Sequence, residues 1–324
     1  MPDSVDSNFD RPNWNRFWFS PASAIPLDRM RVAVGLLVVF WLLSFFGRQT
    51  EYFGFSGWLN RDAYSSVRKL QNGFAVPDSP ASRLSASSWS PMYFATTPIA
   101  VHALYAASIL AALAFTVGVA PVVAAPLTWL GVCSFTSNPV FNGAGVDSML
   151  LVLTFYLMAG FILRRLLPTG VGDNLAMRML QVHVAILIFS SGLGKLQQSI
   201  WWEGIALWFP RNPPYELPIE TINKLRESGG VGSELRFLSF AAYLVLMWQL
   251  SFPALAFQRW TRTWIVGGAF FGMIGCWYVY RLPMFGPTWF VASLAFLNAE
   301  DWKAIGAKFG RSRASPVSEA GGTS

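Results

Sequence analysis

Leu175–Phe209 reads LAMRMLQVHVAILIFSSGLGKLQQSIWWEGIALWF. Its first part, 175–195, is a proline-free apolar run. About 20 such residues at about 1.5 Å each match the hydrocarbon thickness of a bilayer, so the run predicts a membrane-crossing helix. Arg178, Gln181, His183, Ser190, Ser191 and Lys195 interrupt it. Polar groups avoid lipid, so this helix belongs inside a bundle. Ser191 and Lys195, four residues apart, share a face. His183 and Lys195 are separated by about 18 Å of helix rise and form no dyad. Past Lys195 the segment QQSIWWEGIALWF turns amphipathic, as an interfacial or re-entrant helix does.

Composition makes the same case for the whole chain. Of 324 residues, 53% are hydrophobic and only 13% charged, about half the charged share of soluble domains. The polar side chains are too few for a solvated shell, which points to lipid as solvent. The net charge is +7, with Lys and Arg placed between apolar runs. There they orient helices and meet anionic lipid, which argues against nucleic acid as a partner. Cys133 and Cys276 lie inside apolar runs without metal-ligand spacing, so neither a disulfide framework nor a metal site is expected.

In chain order, 1–28 forms a cytosolic or interfacial tail whose NWNRFWFSP (13–21) suits headgroup depth. A transmembrane domain follows over 29–300, and 301–324 reads as a disordered cytosolic tail. Eight spans are expected, near 30–47, 93–118, 121–141, 145–166, 175–195, 236–257, 263–280 and 284–298. Two long outer loops, 48–92 and 196–235, complete an all-α polytopic integral membrane bundle. Basic residues flanking the spans place both termini in the cytosol, at the cell membrane, and Lys195 near the outer face.

The chemistry rests on few residues. A lysine beside apolar and Trp surface loses solvation when charged, which would make Lys195 a usable base near neutral pH. An aromatic cavity around it would suit a flat lipid-soluble ring such as a quinone or hydroquinone. The structural alternative is a lysine that snorkels outward or pairs with Glu203. Asp147 opens its helix, where an acid caps; it is also an acid at membrane depth and a candidate site residue. Motifs of metalloproteases, serine hydrolases, P-loop and Rossmann proteins are absent.

RVAVG (31–35), RMLQVH (178–183) and SGLGKLxxxxWWEG (191–204) resemble the horizontally transferred transmembrane (HTTM) family, which includes the membrane part of vitamin K-dependent γ-carboxylase. The resemblance implies that Lys195 deprotonates a vitamin K hydroquinone, which oxygen then converts to a strong base. It also implies catalytic-site positions for Arg31 and Asp147, the latter where the carboxylase has a histidine. Trp201, Trp202, Glu203, Ser191, Arg178, Gln181 and His183 complete the expected substrate- or cofactor-binding set. The chain ends soon after its last span and lacks the large outer domain that presents glutamate-rich peptides. Two readings therefore stand: a quinone-linked membrane enzyme or enzyme subunit, partnered by lipid, a quinone and a small soluble protein; or a non-catalytic factor for maturation, export or immunity of a secreted peptide, of the sporulation-delaying protein B type.

Overall fold

The computed structural model describes residues 13–54, 57, 91–95, 97–136, 146–212 and 230–313. Among them the regular structure is entirely helical. A short α1 (Asn13–Phe19) precedes α2 (Ile25–Leu43) and α3 (Gln49–Phe53). Then come α4 (Pro98–Val117), α5 (Pro121–Thr136), α6 (Val146–Leu166) and α7 (Val171–Leu196). Two single turns, α8 (Ser199–Trp202) and α9 (Trp208–Arg211), lead to α10 (Gly230–Ala256) and α11 (Arg262–Tyr280). The chain finishes with α12 (Phe285–Ser293), which tightens into a 3₁₀ turn, and α13 (Ala299–Arg313).

Among the described residues five helices are long and apolar enough to cross a membrane: Pro98–Val117, Ser148–Leu166, Val171–Leu196, Gly232–Ala256 and Arg262–Tyr280. The other three expected spans differ for visible reasons. α2 has 19 residues but holds Asp28, Arg29 and Arg31 in its first two turns. α5 and the α12 region are shorter apolar helices. In the most apolar windows of the five, only 22–39% of residues are buried, so much apolar surface faces outward. Phe237, Met247, Trp264 and Phe271 are 61%, 69%, 82% and 71% exposed. Water is a poor solvent for so large an apolar surface; the arrangement fits an integral membrane location.

Successive helices pack on one another from α4 through α7; α2 packs on α4, α7 on α10, α10 on α11 and α11 on α12. α12 returns to α2 and α6, closing the bundle. The main core gathers residues such as Met30, Leu42, Phe115, Leu153, Leu180 and Phe252. A smaller cluster around Trp201, Leu207, Leu238 and Leu246 sits where α8 and α9 fold onto α10.

Local chemistry explains the joints. Thr97 accepts the Ala100 N–H at 3.2 Å and Pro98 fills the first turn, so α4 starts there. It stops at Gly118, which at φ +93° lets its own and the Val119 N–H return to Ala114 O at 2.9 Å. At Gly35 an added Cβ would collide with Thr116, so that glycine sets the approach of α2 to α4. Buried hydroxyls, with no water to meet, turn back on their own helices: Thr128 donates to Ala124 O, Thr154 to Leu150 O and Ser293 to Trp289 O; the half-buried Thr116 does the same to Ala112 O.

Two expectations need correction. The helix expected as the first span begins at Ile25, inside the segment read as a tail, because Pro26 opens the helix and Leu27 and Met30 already enter the core. The segment from 301 is helical through Arg313. Asn298 and Asp301 cap it reciprocally, each backbone N–H donating to the other's side chain at 2.9 Å. Most of the expected outer loop 48–92, and 213–229 of the second loop, lie outside the described residues.

Candidate functional site

α7 runs the length of the bundle and carries polar groups at both ends. Val171, Gly172 and Asp173 start it beside the beginning of α2 and the end of α6. Gly170, at φ +79°, gives its carbonyl to the Ala22 N–H at 3.0 Å, and an added Cβ would stand 2.7 Å from Ala22 O. Lys195 lies in the last turn, where the helix dipole favours a cation.

The Lys195 end is built from three elements. Lys195 is half-buried, and its Nζ donates to Ser191 Oγ at 2.7 Å, one turn back on the same face. The ammonium lies 5.3 Å from the centre of the Trp201 ring, a cation–π contact. Trp201 itself is buried. Cys276 of α11 is close enough for Lys195 and the thiol to feel one another's charge, and Tyr280 follows four residues on along the same helix. Among the described residues Lys195 joins no ion pair, and the exposed Glu203 does not reach it. The pairing with Glu203 is thus not what the side chain does.

The WWEG sequence has a structural task. Gly204 takes φ +72°, its carbonyl accepts from Ser239 Oγ at 2.7 Å, and an added Cβ would meet Ser239 Cβ at 2.9 Å. The exposed Trp202 is pinned at both ends: its indole N–H donates to Leu196 O and its carbonyl accepts from the Tyr243 hydroxyl, each at 2.7 Å. Arg211 of α9 lies 4.5 Å from the Tyr278 ring centre and 3.8 Å from Glu234 Oε1. The Tyr278 hydrogen bond raises the pKa of that guanidinium further. These contacts hold α8 and α9 against α10 and α11 and keep Trp201 over Lys195. Gly192 lets α10 approach, since a Cβ there would be 3.1 Å from Gln249 Cβ.

The remaining expected site residues lie elsewhere. From Arg178 to Lys195 the helix rises about 25 Å. Arg178 and Gln181 belong to the opposite end, where Arg178 Nη1 donates to Gln181 Oε1 at 3.0 Å and Gln181 Nε2 to Ala295 O at 2.8 Å. His183 is midway, its Nδ1 3.0 Å from the Tyr156 hydroxyl. Arg31 Nη1 donates to the carbonyls of Phe115 and Thr116 at 2.6 and 2.5 Å, capping the end of α4. Asp147 is in the first turn of α6, and its side chain lies outside what the structure describes. Thus Lys195, Ser191 and Trp201 are brought together; Arg31, Arg178, Gln181 and His183 are not brought to them.

Cys276 and Tyr280 are additions that the sequence reading did not place here. Their signal was the four-residue spacing on an apolar helix, which puts both on one face. No group of three or more His, Cys, Asp or Glu suited to a metal occurs among the described residues. No protein-family model, curated protein or solved structure matches this chain.

Proposed function

We propose that the protein is a quinone-linked membrane enzyme, or the membrane subunit of one, with Lys195 as its base. The observation that supports this is an amine held half-buried by Ser191 Oγ and the Trp201 face, with no carboxylate partner among the described residues. The residues fit a flat ring with a hydroxyl: Trp201 and Tyr280 offer aromatic surface, and the Lys195 amine and Cys276 thiol offer polar contacts beside it. A bound hydroquinone would supply the acidic O–H. The unprotonated Lys195 Nζ would take that proton through its lone pair and become an ammonium. Ser191 Oγ then turns an acceptor lone pair toward it and fixes its position.

The HTTM resemblance supports the same assignment for Lys195 and, with the basic flanks, eight spans with both termini cytosolic. Arg31 would serve in it by positioning helices, and His183 through Tyr156.

Organic extraction of the purified protein, with chromatography and mass spectrometry of the extract, tests the reading. A quinone at near-stoichiometric yield from wild type, and its loss from a folded Lys195→Met variant, is the expected result. Extracts without quinone from both proteins sink it. The peptide-factor reading draws on the apolar rim beside Lys195, where Trp202 and Phe209 are 61% and 47% exposed. It predicts a co-purifying apolar peptide that survives Lys195→Met.

A further inference from the structure

We infer that the far end of α7 holds a second site, a cavity that binds a phosphate ester with an apolar portion, recognised by Arg178. This site does not depend on the Lys195 reading.

The cavity measures about 320 Å³, within the range of small-molecule pockets, about 300–1,000 Å³. The first turns of four helices line it, α2, α7, α11 and α13, together with the carboxyl end of α10. Each of those four helices has at least fifteen residues, and each amino terminus carries partial positive charge on N–H groups that have no partner within the helix.

Arg178 is the independent second observation. Its side chain lines the cavity half-buried and joins no ion pair among the described residues. Gln181 holds one end of the guanidinium, and the Phe17 ring stands 4.5 Å from it. The group is therefore oriented but not neutralised. It sits in the second turn of its helix, and Arg262 lines the same cavity.

Nearby carboxylates are otherwise engaged. Asp173 Oδ1 accepts from Arg164 Nε at 2.6 Å. Asp301 takes Arg262, with Oδ2 2.8 Å from Nε and Oδ1 accepting from Nη2 at 3.2 Å. Glu300 is exposed and faces the exposed Arg259 at 3.8 Å. With Arg262 already paired to Asp301, Arg178 is the cavity's guanidinium without an acid among the described residues, and its fork matches a phosphate. Phe257 and Phe296 give the organic part an apolar wall. A lipid headgroup and a soluble phosphate ester share this chemistry.

Calorimetric titration of the detergent-solubilised full chain tests the site, using dihexanoyl phosphatidylglycerol, the matching phosphate-free diacylglycerol, and inorganic phosphate. The phospholipid is expected to bind with salt-sensitive affinity, and the phosphate-free lipid not to bind. Arg178→Gln should weaken binding at least tenfold. Ser23→Asp adds a carboxylate at the exposed cavity rim while keeping an acceptor for the Ile25 N–H, and should weaken it similarly. If Arg178→Gln fails to fold, Ser23→Asp decides. Inorganic phosphate that displaces the lipid assigns the site to soluble phosphates; failure to displace assigns it to headgroups. Absence of phosphate-dependent binding in wild type, or unchanged affinity in either folded variant, overturns the proposal.

Discussion

The two ends of α7 use charge in opposite ways. At the amino end, Arg164 bridges Asp173 and Asp28 at 2.6 and 3.0 Å, and Arg262 meets Asp301. The acids stand in first turns of their helices, where the dipole welcomes them. At the carboxyl end Lys195 has a hydroxyl and an aromatic face instead of an acid. Charges that hold helices together are neutralised by opposite charges; a charge left without a counter-ion is free to exchange a proton or to take a ligand. Arg178, without an acid at the crowded end, is the exception that carries the second site.

Four substitutions break or sharpen this contrast. The largest effect is expected for Lys195→Met, a fall in turnover of about 10²–10⁴-fold, the usual share of a general base. Its unfolding free energy should move by no more than about 2 kcal/mol, because one cation–π contact and the hydrogen bond to Ser191 are lost. Quinol consumption by purified protein, alongside a melting curve, measures both. A large fall in melting temperature without loss of turnover would make Lys195 structural.

Next is Arg164→Met. Asp173, whose side chain is 6% exposed, would lose its counter-charge, and the fold should weaken by about 3 kcal/mol. Unfolding in mixed detergent, followed by circular dichroism, reads this. A change below about 1 kcal/mol would remove the distinction between the two ends.

Gly204→Ala follows, costing about 1–2 kcal/mol for a left-handed non-glycine residue. Strain there should also loosen the α8–α9 segment, seen as faster limited proteolysis between α7 and α10. Equal cleavage rates would show that the turn does not hold Trp201 in place. The smallest effect is expected for Ser191→Ala. It deletes one hydrogen bond, worth about 1 kcal/mol, or about fivefold in turnover, with melting almost unmoved.

Much of the bundle is legible in the chain. The apolar runs appear as helices within a few residues of where length and hydropathy put them, because lipid demands that every spanning backbone satisfy itself. The start of α2 and the helical α13 were obscured because their sequences are charged. Their stability comes from Arg164 reaching Asp28 across 136 residues, and from a local Asn298–Asp301 cap. The candidate site was half legible. Ser191 and Lys195 share a helix face by spacing alone, whereas Cys276 joins them from another helix, which no local pattern announces.

What the residues gave unaided was the secondary structure: a chain with this little charge and runs this long forms apolar helices that fit a lipid solvent. Which polar residue meets which was left to tertiary packing. Arg178 and Lys195 look equivalent on the helix, but about 25 Å of rise sends one to a cavity between helix ends and the other under a tryptophan. The reason is geometric: spacing along a helix sets which face a residue occupies, and only the packing of neighbouring helices sets what stands opposite that face.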